Sequence, residues 1–171
     1  MAARFSATAQ NVADKLKSIR VHGKGDHKYD NARIGINGRL DTLQAAILLA
    51  KLSIYEDEIL LRQNVARSYT DGLAGAVQPP VVRSDRTSVW AQYSLLSDRR
   101  DELMAQLRAK GVPTAIYYPK PLHLQTAYAS LDYKQGDFPV AEQISGKIFS
   151  VPMHPYLSSD DQQHVISAMN G

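Results

Sequence analysis

The residues best suited to chemistry fall in three short stretches. Gly35-Ile36-Asn37-Gly38-Arg39 sets an amide and a guanidinium just ahead of the most apolar helical stretch of the chain. Unpaired N–H groups at a helix start favour an anion, and an arginine fork suits a carboxylate or a phosphate. The same residues also have a plain structural reading, in which Asn37 caps the helix and Arg39 pairs with Asp41 or Glu56. Upstream, His22-Gly23-Lys24-Gly25-Asp26 is a polar, glycine-rich loop with neither the phosphate-loop pattern nor a preceding strand, so by itself it reads as a surface loop. Tyr117-Tyr118-Pro119-Lys120-Pro121-Leu122-His123 joins two aromatics, a cation, a histidine and two rigid prolines. That mixture suits a sugar or nucleotide contact and also suits plain packing. Val151-Pro152-Met153-His154-Pro155-Tyr156-Leu157 reads likewise as a stiff connector.

Other chemistries are excluded by residue type. The 171 residues contain no cysteine, hence no disulfide framework, thiolate metal site or thiol nucleophile. The five histidines show no metal-ligand spacing, and no Gly-x-Ser-x-Gly turn is present. Lys plus Arg number 20 against 17 acidic residues, and a net charge of +3 is too small and too scattered to argue for nucleic acid or an anionic membrane. The longest apolar run, Ala45 to Ala50, falls far short of the roughly 20 residues of a membrane span. The opening MAARFSATAQ lacks the apolar region of a signal peptide, so a soluble, cytoplasmic protein is the expectation. At 44% hydrophobic and 22% charged, the composition is globular.

The elements that must position these stretches are legible from spacing. Val12, Leu16 and Ile19 predict a helix from about Thr8 to Ile19. From Leu40 onward, Leu43, Ile47 and Ile54 lie on one side while Ala45, Leu48, Leu49 and Leu52 widen the apolar surface. Such a helix is buried from several sides, in part by another polypeptide or by missing chain. The same or a kinked helix continues toward Gly72. Gly75 to Pro80 is too proline-rich for helix, and it divides the chain into residues 1–75, all helical, and 76–171, a small α+β domain. Within the latter, strands are expected over Val89 to Leu95, Val112 to Tyr118 and Phe149 to Pro152. Helices are expected over Asp98 to Lys110 with an aspartate cap and Gly111 after its end, over Pro139 to Ile148, and from a Ser159 cap with Gln162 three residues on.

Four segments taken together are more specific than any one. Gly35 to Ala46 (GINGRLDTLQAA), Tyr118 to His123 (YPKPLH), Phe138 to Glu142 (FPVAE) and Val151 to Ser158 (VPMHPYLS) occur in the order and approximate spacing of the DegT/DnrJ/StrS family of pyridoxal-phosphate sugar aminotransferases. The chain resembles that family from about Thr8 to its end. Within it, the similarity is greatest to enzymes that aminate the 3-keto position of UDP-2-acetamido-2-deoxy-3-oxo-glucuronate. The resemblance implies an α/β parent of the fold-type I transferase class, twice this length, of which this chain supplies the helical end of the large cofactor domain (1–75) and the small C-terminal domain (76–171). It also implies pyridoxal 5'-phosphate as cofactor, a nucleotide-linked sugar ketone as acceptor, L-glutamate as amino donor, a role in surface polysaccharide synthesis, and a homodimer or a full-length family partner. By the same match Asn37 contacts the cofactor phosphate of a neighbouring subunit, and Arg39, His22, Tyr117 and Tyr118 face the substrate. The resembling enzymes carry histidine where this chain has Tyr117, so the substrate role falls first on Tyr118.

No lysine here sits in the family's Ser-x-x-x-x-Lys-x-Leu-Gly context. Transamination needs a positioned lysine that condenses with the cofactor aldehyde, so the chain is expected to carry no catalytic residue and to be inactive alone. Two alternatives stay open from sequence: a non-catalytic dimerisation module that lends Asn37 and Arg39 to a full-length partner, and a truncated remnant.

Overall fold

The computed structural model describes residues 7–27 and 29–171, with side chains from residue 10 onward; most of the N-terminal segment read for a leader lies outside them. The chain packs as two compact units, Met1–Ser53 and Ile54–Gly171.

In the first unit, α1 (Ala7–Arg20) and α2 (Thr42–Leu52) flank a long loop. The cap of α2 is Asp41, whose carboxylate accepts from the Gln44 N–H at 2.8 Å. The reading in which Asn37 caps this helix is therefore wrong, because Asp41 stands directly at the helix start. The helix ends where the Ser53 hydroxyl donates back to the Ala50 carbonyl at 2.8 Å. No residue of α2 is buried, and Leu43 and Leu49 are 74% and 69% exposed. The wide apolar surface that the sequence reads as covered on several sides is not covered within its own unit.

The second unit opens with α3 (Tyr55–Gly72), so the packing boundary lies some twenty residues before the proline-rich stretch that marks it in sequence. The reason is the inward face of α3: Val65, Ala66, Tyr69 and the following Leu73 are buried in the core of the α+β unit. That core is built on β1 (Tyr93–Leu96) and β2 (Ile148–Val151), an antiparallel pair with Tyr93 opposite Val151 and Leu95 opposite Phe149. Leu103 and Leu107 of α4 (Arg100–Ala109) and Val165, Ile166, Ala168 and Met169 of α6 (Ser159–Asn170) complete it. Between them lie α5 (Pro139–Lys147) and two 3₁₀ segments, Leu122–Leu124 and Thr126–Leu131. Gln78 exchanges backbone hydrogen bonds with Leu96 at one edge of the pair, and Ala115 with Ser150 at the other.

Several boundaries differ from expectation for local reasons. β1 begins at Tyr93, not Val89, because Trp90 adopts a left-handed backbone (φ +49°) that interrupts an extended run. The Val112–Tyr118 strand reduces to the single Ala115 bridge; Pro113 has no N–H to give, and Tyr118 turns left-handed (φ +61°). Asp98 does not cap α4. Its carboxylate takes Lys147 Nζ at 2.6 Å, while the Ser97 hydroxyl receives the Arg99 N–H at 3.1 Å. The cap of α6 is Ser158, one residue before the expected Ser159, and it accepts from the Asp161 N–H at 3.1 Å.

The polar groups of this core pair with one another. Tyr69 donates its hydroxyl to the Pro152 carbonyl at 3.0 Å. Thr70 donates to the Ala66 carbonyl at 2.8 Å, so it accepts from the Tyr93 hydroxyl, 2.7 Å away. Burial, and behind it the negative charge of Asp161, pushes the Tyr69 hydroxyl well above the ordinary tyrosine range, so it stays a donor. Removing it leaves the Pro152 carbonyl unpaired. Tyr69→Phe is expected to lower stability by about 1–2 kcal/mol with an unchanged denaturant slope, followed by the fluorescence of Trp90, the one tryptophan.

Candidate functional site

His22, Asn37 and Arg39 are gathered by a chain crossing after α1. Val21 and Asn37 form a bridge, the His22 N–H donates to the Ile36 carbonyl at 2.9 Å, and the Gly38 N–H donates to the Arg20 carbonyl at 2.8 Å. The crossing needs two glycines. A Cβ at Gly23 (φ +76°) would lie 1.7 Å from the Arg33 carbonyl oxygen, and one at Gly35 would lie 2.1 Å from the Gly23 nitrogen. His22 itself is left-handed (φ +59°), a conformation held by its neighbours' hydrogen bonds rather than by its own preference. Within its own unit Arg39 does not pair with Asp41. Its Nε donates to Asn37 Oδ1 at 3.2 Å. Among the described residues, neither the Asn37 NH₂ nor the Arg39 terminal nitrogens make a hydrogen bond, so both remain available to a second partner. Asn37, Arg39 and His22 are all exposed.

Tyr117 and Tyr118 lie in the second unit. Tyr117, 41% exposed, lines a cleft of about 240 Å³ with Gln92, Thr114, Ser150, Pro152 and Met153. Tyr118 does not line it and is 77% exposed. The cleft walls are tied from α3: Arg62 Nη1 donates to the Trp90 carbonyl at 2.9 Å and to the Met153 carbonyl at 3.4 Å. Gln63 accepts from the Trp90 indole N–H at 3.0 Å and donates to the Ser88 carbonyl.

Sequence alone assigns no role to a second polar group beside this segment. Glu142, in the first turn of α5, accepts from the Gly136 N–H at 2.8 and 3.0 Å, from the Phe138 N–H at 3.4 Å and from His123 Nε2 at 3.0 Å. The Gly136 N–H above all, with His123 and the Phe138 N–H, holds the Glu142 carboxyl below the ordinary glutamate range against an opposing loss of solvation. The signal lies in Phe138-Pro139-Val140-Ala141-Glu142: proline at the first helical position, and a carboxylate within reach of the N–H groups just before it.

A cleft of about 510 Å³ in the first unit holds Lys15 and Lys24 near Asp14, Asp26 and Asp30, but both lysines are exposed. None of the described lysines is buried, the nearest being Lys147, which is paired with Asp98. A lysine in open water lacks the surroundings that activate an amine toward an aldehyde. The described residues therefore do not make a complete cradle for pyridoxal phosphate. Among the described residues, no three of His, Asp and Glu gather as a metal site, and no helix is long and apolar enough to cross a membrane.

Comparison with known proteins gives this arrangement a lineage. Residues 6–170 match the DegT/DnrJ/EryC1/StrS aminotransferase family, and the chain belongs to it. It is 42% identical over 159 residues to the UDP-2-acetamido-2-deoxy-3-oxo-D-glucuronate aminotransferase of Pseudomonas aeruginosa, covering 92% of this chain and 43% of that enzyme. It is 34% identical over 160 residues to the dTDP-3-amino-3,6-dideoxy-alpha-D-galactopyranose transaminase of Aneurinibacillus thermoaerophilus, again covering 43% of the relative. The crystal structure of a DegT DnrJ EryC1 StrS aminotransferase from Brucella abortus superposes with a TM-score of 0.86 at 52% identity, over 94% of this chain and 43% of that one. The chain thus spans about two fifths of the length of these relatives, and its helical front and small α+β unit belong to the fold of pyridoxal-phosphate sugar aminotransferases.

Two outcomes test the geometry. Gly35→Ala is expected to cost about 2 kcal/mol or more in the first unit through the backbone collision, read as faster amide exchange at His22 and Gly38 while β1 and β2 keep their protection. The lowered Glu142 pKa means that its contribution to stability is present above the unfolded value, about 4.3, and is lost as pH falls through the lower folded value. Glu142→Gln should therefore flatten the acid limb of the stability profile below about pH 4.3, measured by denaturant midpoints.

Proposed function

We propose that the chain is the C-terminal part of a pyridoxal-phosphate-dependent aminotransferase that moves an amino group, from L-glutamate, to the keto group of a nucleotide-linked sugar for surface polysaccharide synthesis. The observation that carries this is the Asn37–Arg39 pair, held outward beside His22 on a glycine crossing that leaves no room for a Cβ. When bound, pyridoxal phosphate supplies the aldehyde that carries the amino group. This chain's part is to hold and orient. The Asn37 NH₂ would donate to the cofactor phosphate of a partner subunit. The Arg39 terminal nitrogens would take the carboxylate of a uronic sugar, with His22, Tyr117 and Tyr118 against the remainder of the nucleotide sugar. Support for a uronic acceptor comes from the 42% identity to the Pseudomonas aeruginosa enzyme together with a guanidinium at position 39.

A second reading, a non-catalytic dimerisation module, is favoured by one feature: the uncovered apolar surface of α2 beside an absence of any buried lysine among the described residues. Both readings place the chain in a homodimer or against a full-length family partner.

Two measurements test the proposed reading. The purified chain, given pyridoxal phosphate and then borohydride, is expected to yield no single-site adduct; one specific labelled lysine would sink the reading that the reactive amine lies elsewhere. In the full-length Pseudomonas aeruginosa enzyme, alanine at the position matching Arg39 should lower kcat/KM for the 3-oxo-uronate about 10- to 100-fold, the worth of a charge-assisted hydrogen bond. Unchanged turnover would remove Arg39 from the site.

A further inference from the structure

The segment that carries Tyr117 and Tyr118 is strained and exposed, so something must hold it. Tyr118 is left-handed (φ +61°) and precedes Pro119, where a proline ring already narrows the backbone of the residue before it. Its upstream end is fixed: Ala115 and Ser150 exchange both backbone hydrogen bonds, at 3.0 and 2.7 Å. Downstream, the segment runs through Pro119 and Pro121 into the 3₁₀ turn Leu122–Leu124, closed by the Leu124 N–H on the Pro121 carbonyl at 3.1 Å.

A 3₁₀ turn of three residues does not fix itself in space. What fixes this one is His123, whose side chain is 8% exposed. Its Nε2 donates to Glu142 at 3.0 Å and its ring lies on Phe138, centroids 4.8 Å apart. Phe138 in turn meets Tyr133 edge-on at 5.1 Å. Glu142 rides on α5, which is started by Pro139 and has no side-chain cap at Phe138. The carboxylate fills that gap by accepting from Gly136 and Phe138. One anion therefore joins three pieces of chain: the 3₁₀ turn, the 132–138 loop and the helix.

We propose that Glu142 and His123 are a positioning pair, the downstream anchor that seats Tyr117 against its cleft and holds Tyr118 in its left-handed conformation. The proposal rests on the aminotransferase reading only for the ligand class those tyrosines would meet, a nucleotide-linked sugar; the anchor itself does not depend on it.

Glu142→Gln keeps the size of the side chain but not its chemistry. Every partner of Glu142 is a donor, and a glutamine must turn its own NH₂ toward one of them. In the full 171-residue chain, backbone amide NMR and hydrogen exchange of this variant should show roughly tenfold faster exchange at Gly136, Phe138 and Leu124. The Ile116 to Lys120 resonances should shift or broaden, with β2 and α6 unchanged. If Gly136 and Phe138 loosen while residues 116–124 keep wild-type shifts and protection, the pair merely caps α5 and the proposal fails. Trp90 fluorescence reports whether the fold survives. If Glu142→Gln unfolds the chain, two substitutions at position 123 decide the matter. His123→Gln keeps a donor toward Glu142 and His123→Ala does not, so only the alanine variant should disturb residues 116–120. Equal behaviour of the two would overturn the proposal. None of these readouts needs ligand or turnover, so a failed transaminase assay has no bearing on the anchor.

Discussion

The seating of α3 on the β1–β2 pair is the contact on which the second unit depends. Tyr69 and Tyr93 meet at 5.2 Å with both rings fully buried, and the Tyr69 hydroxyl reaches across to the Pro152 carbonyl. From the same helix, Arg62 binds the Trp90 and Met153 carbonyls. The two strand ends that border the Tyr117 cleft are thus held by side chains of one helix. A two-stranded ribbon alone is marginal in water. Here, α3, α4 and α6 supply its buried faces, and α3 also satisfies the polar groups where the strands stop. Without α3, Trp90 would lose the Arg62 and Gln63 hydrogen bonds and keep only Ser88 Oγ on its N–H and the Tyr93 ring.

The first unit is ordered by a different physics. Its described residues contribute nothing to the buried hydrophobic cluster. Its loop is defined by backbone hydrogen bonds threaded through Gly23 and Gly35, and by Ser18, whose hydroxyl donates to the Lys24 carbonyl at 2.6 Å. Such a loop presents side chains well, because its backbone is fixed while its surface remains in solvent. It is also weakly held, since each of these hydrogen bonds is worth only about 1 kcal/mol net. The apolar residues of α2 add no stability until something removes them from water, at about 25 cal/mol per Å².

How much of this is legible in the sequence follows from the range of the interactions involved. Helical spacing marks α1 to α3, and a proline and a capping pattern mark the starts of α5 and α6 to within a residue, since these are local signals. The spacing of Leu103 and Leu107 likewise marks the inward face of α4. The differences lie where a single tertiary partner decides. Asp98 is a good cap by type, yet Lys147 claims it and Ser97 serves the next N–H. Val112 to Tyr118 has strand composition, but Pro113 and the left-handed Tyr118 leave one paired residue. Prolines suggest a boundary near residue 75, whereas packing is decided by Val65, Ala66 and Tyr69 on the preceding helix. Of the candidate site, the Asn37–Arg39 association can be suspected from proximity alone. The joining of Glu142 to His123, nineteen residues apart, cannot, because nothing local to either residue encodes the other.

The exposure of the lysines and the exposure of α2 bear on the same question from opposite sides. A lysine that serves as a cofactor tether is activated by its surroundings, and among the described lysines none is buried, Lys147 alone being half-buried and paired with Asp98. An apolar helix stable in water must be covered, and nothing within its own unit covers α2. On the reading proposed above, a neighbouring polypeptide would meet both needs at once by packing on α2 and bringing its own lysine toward Asn37 and Arg39.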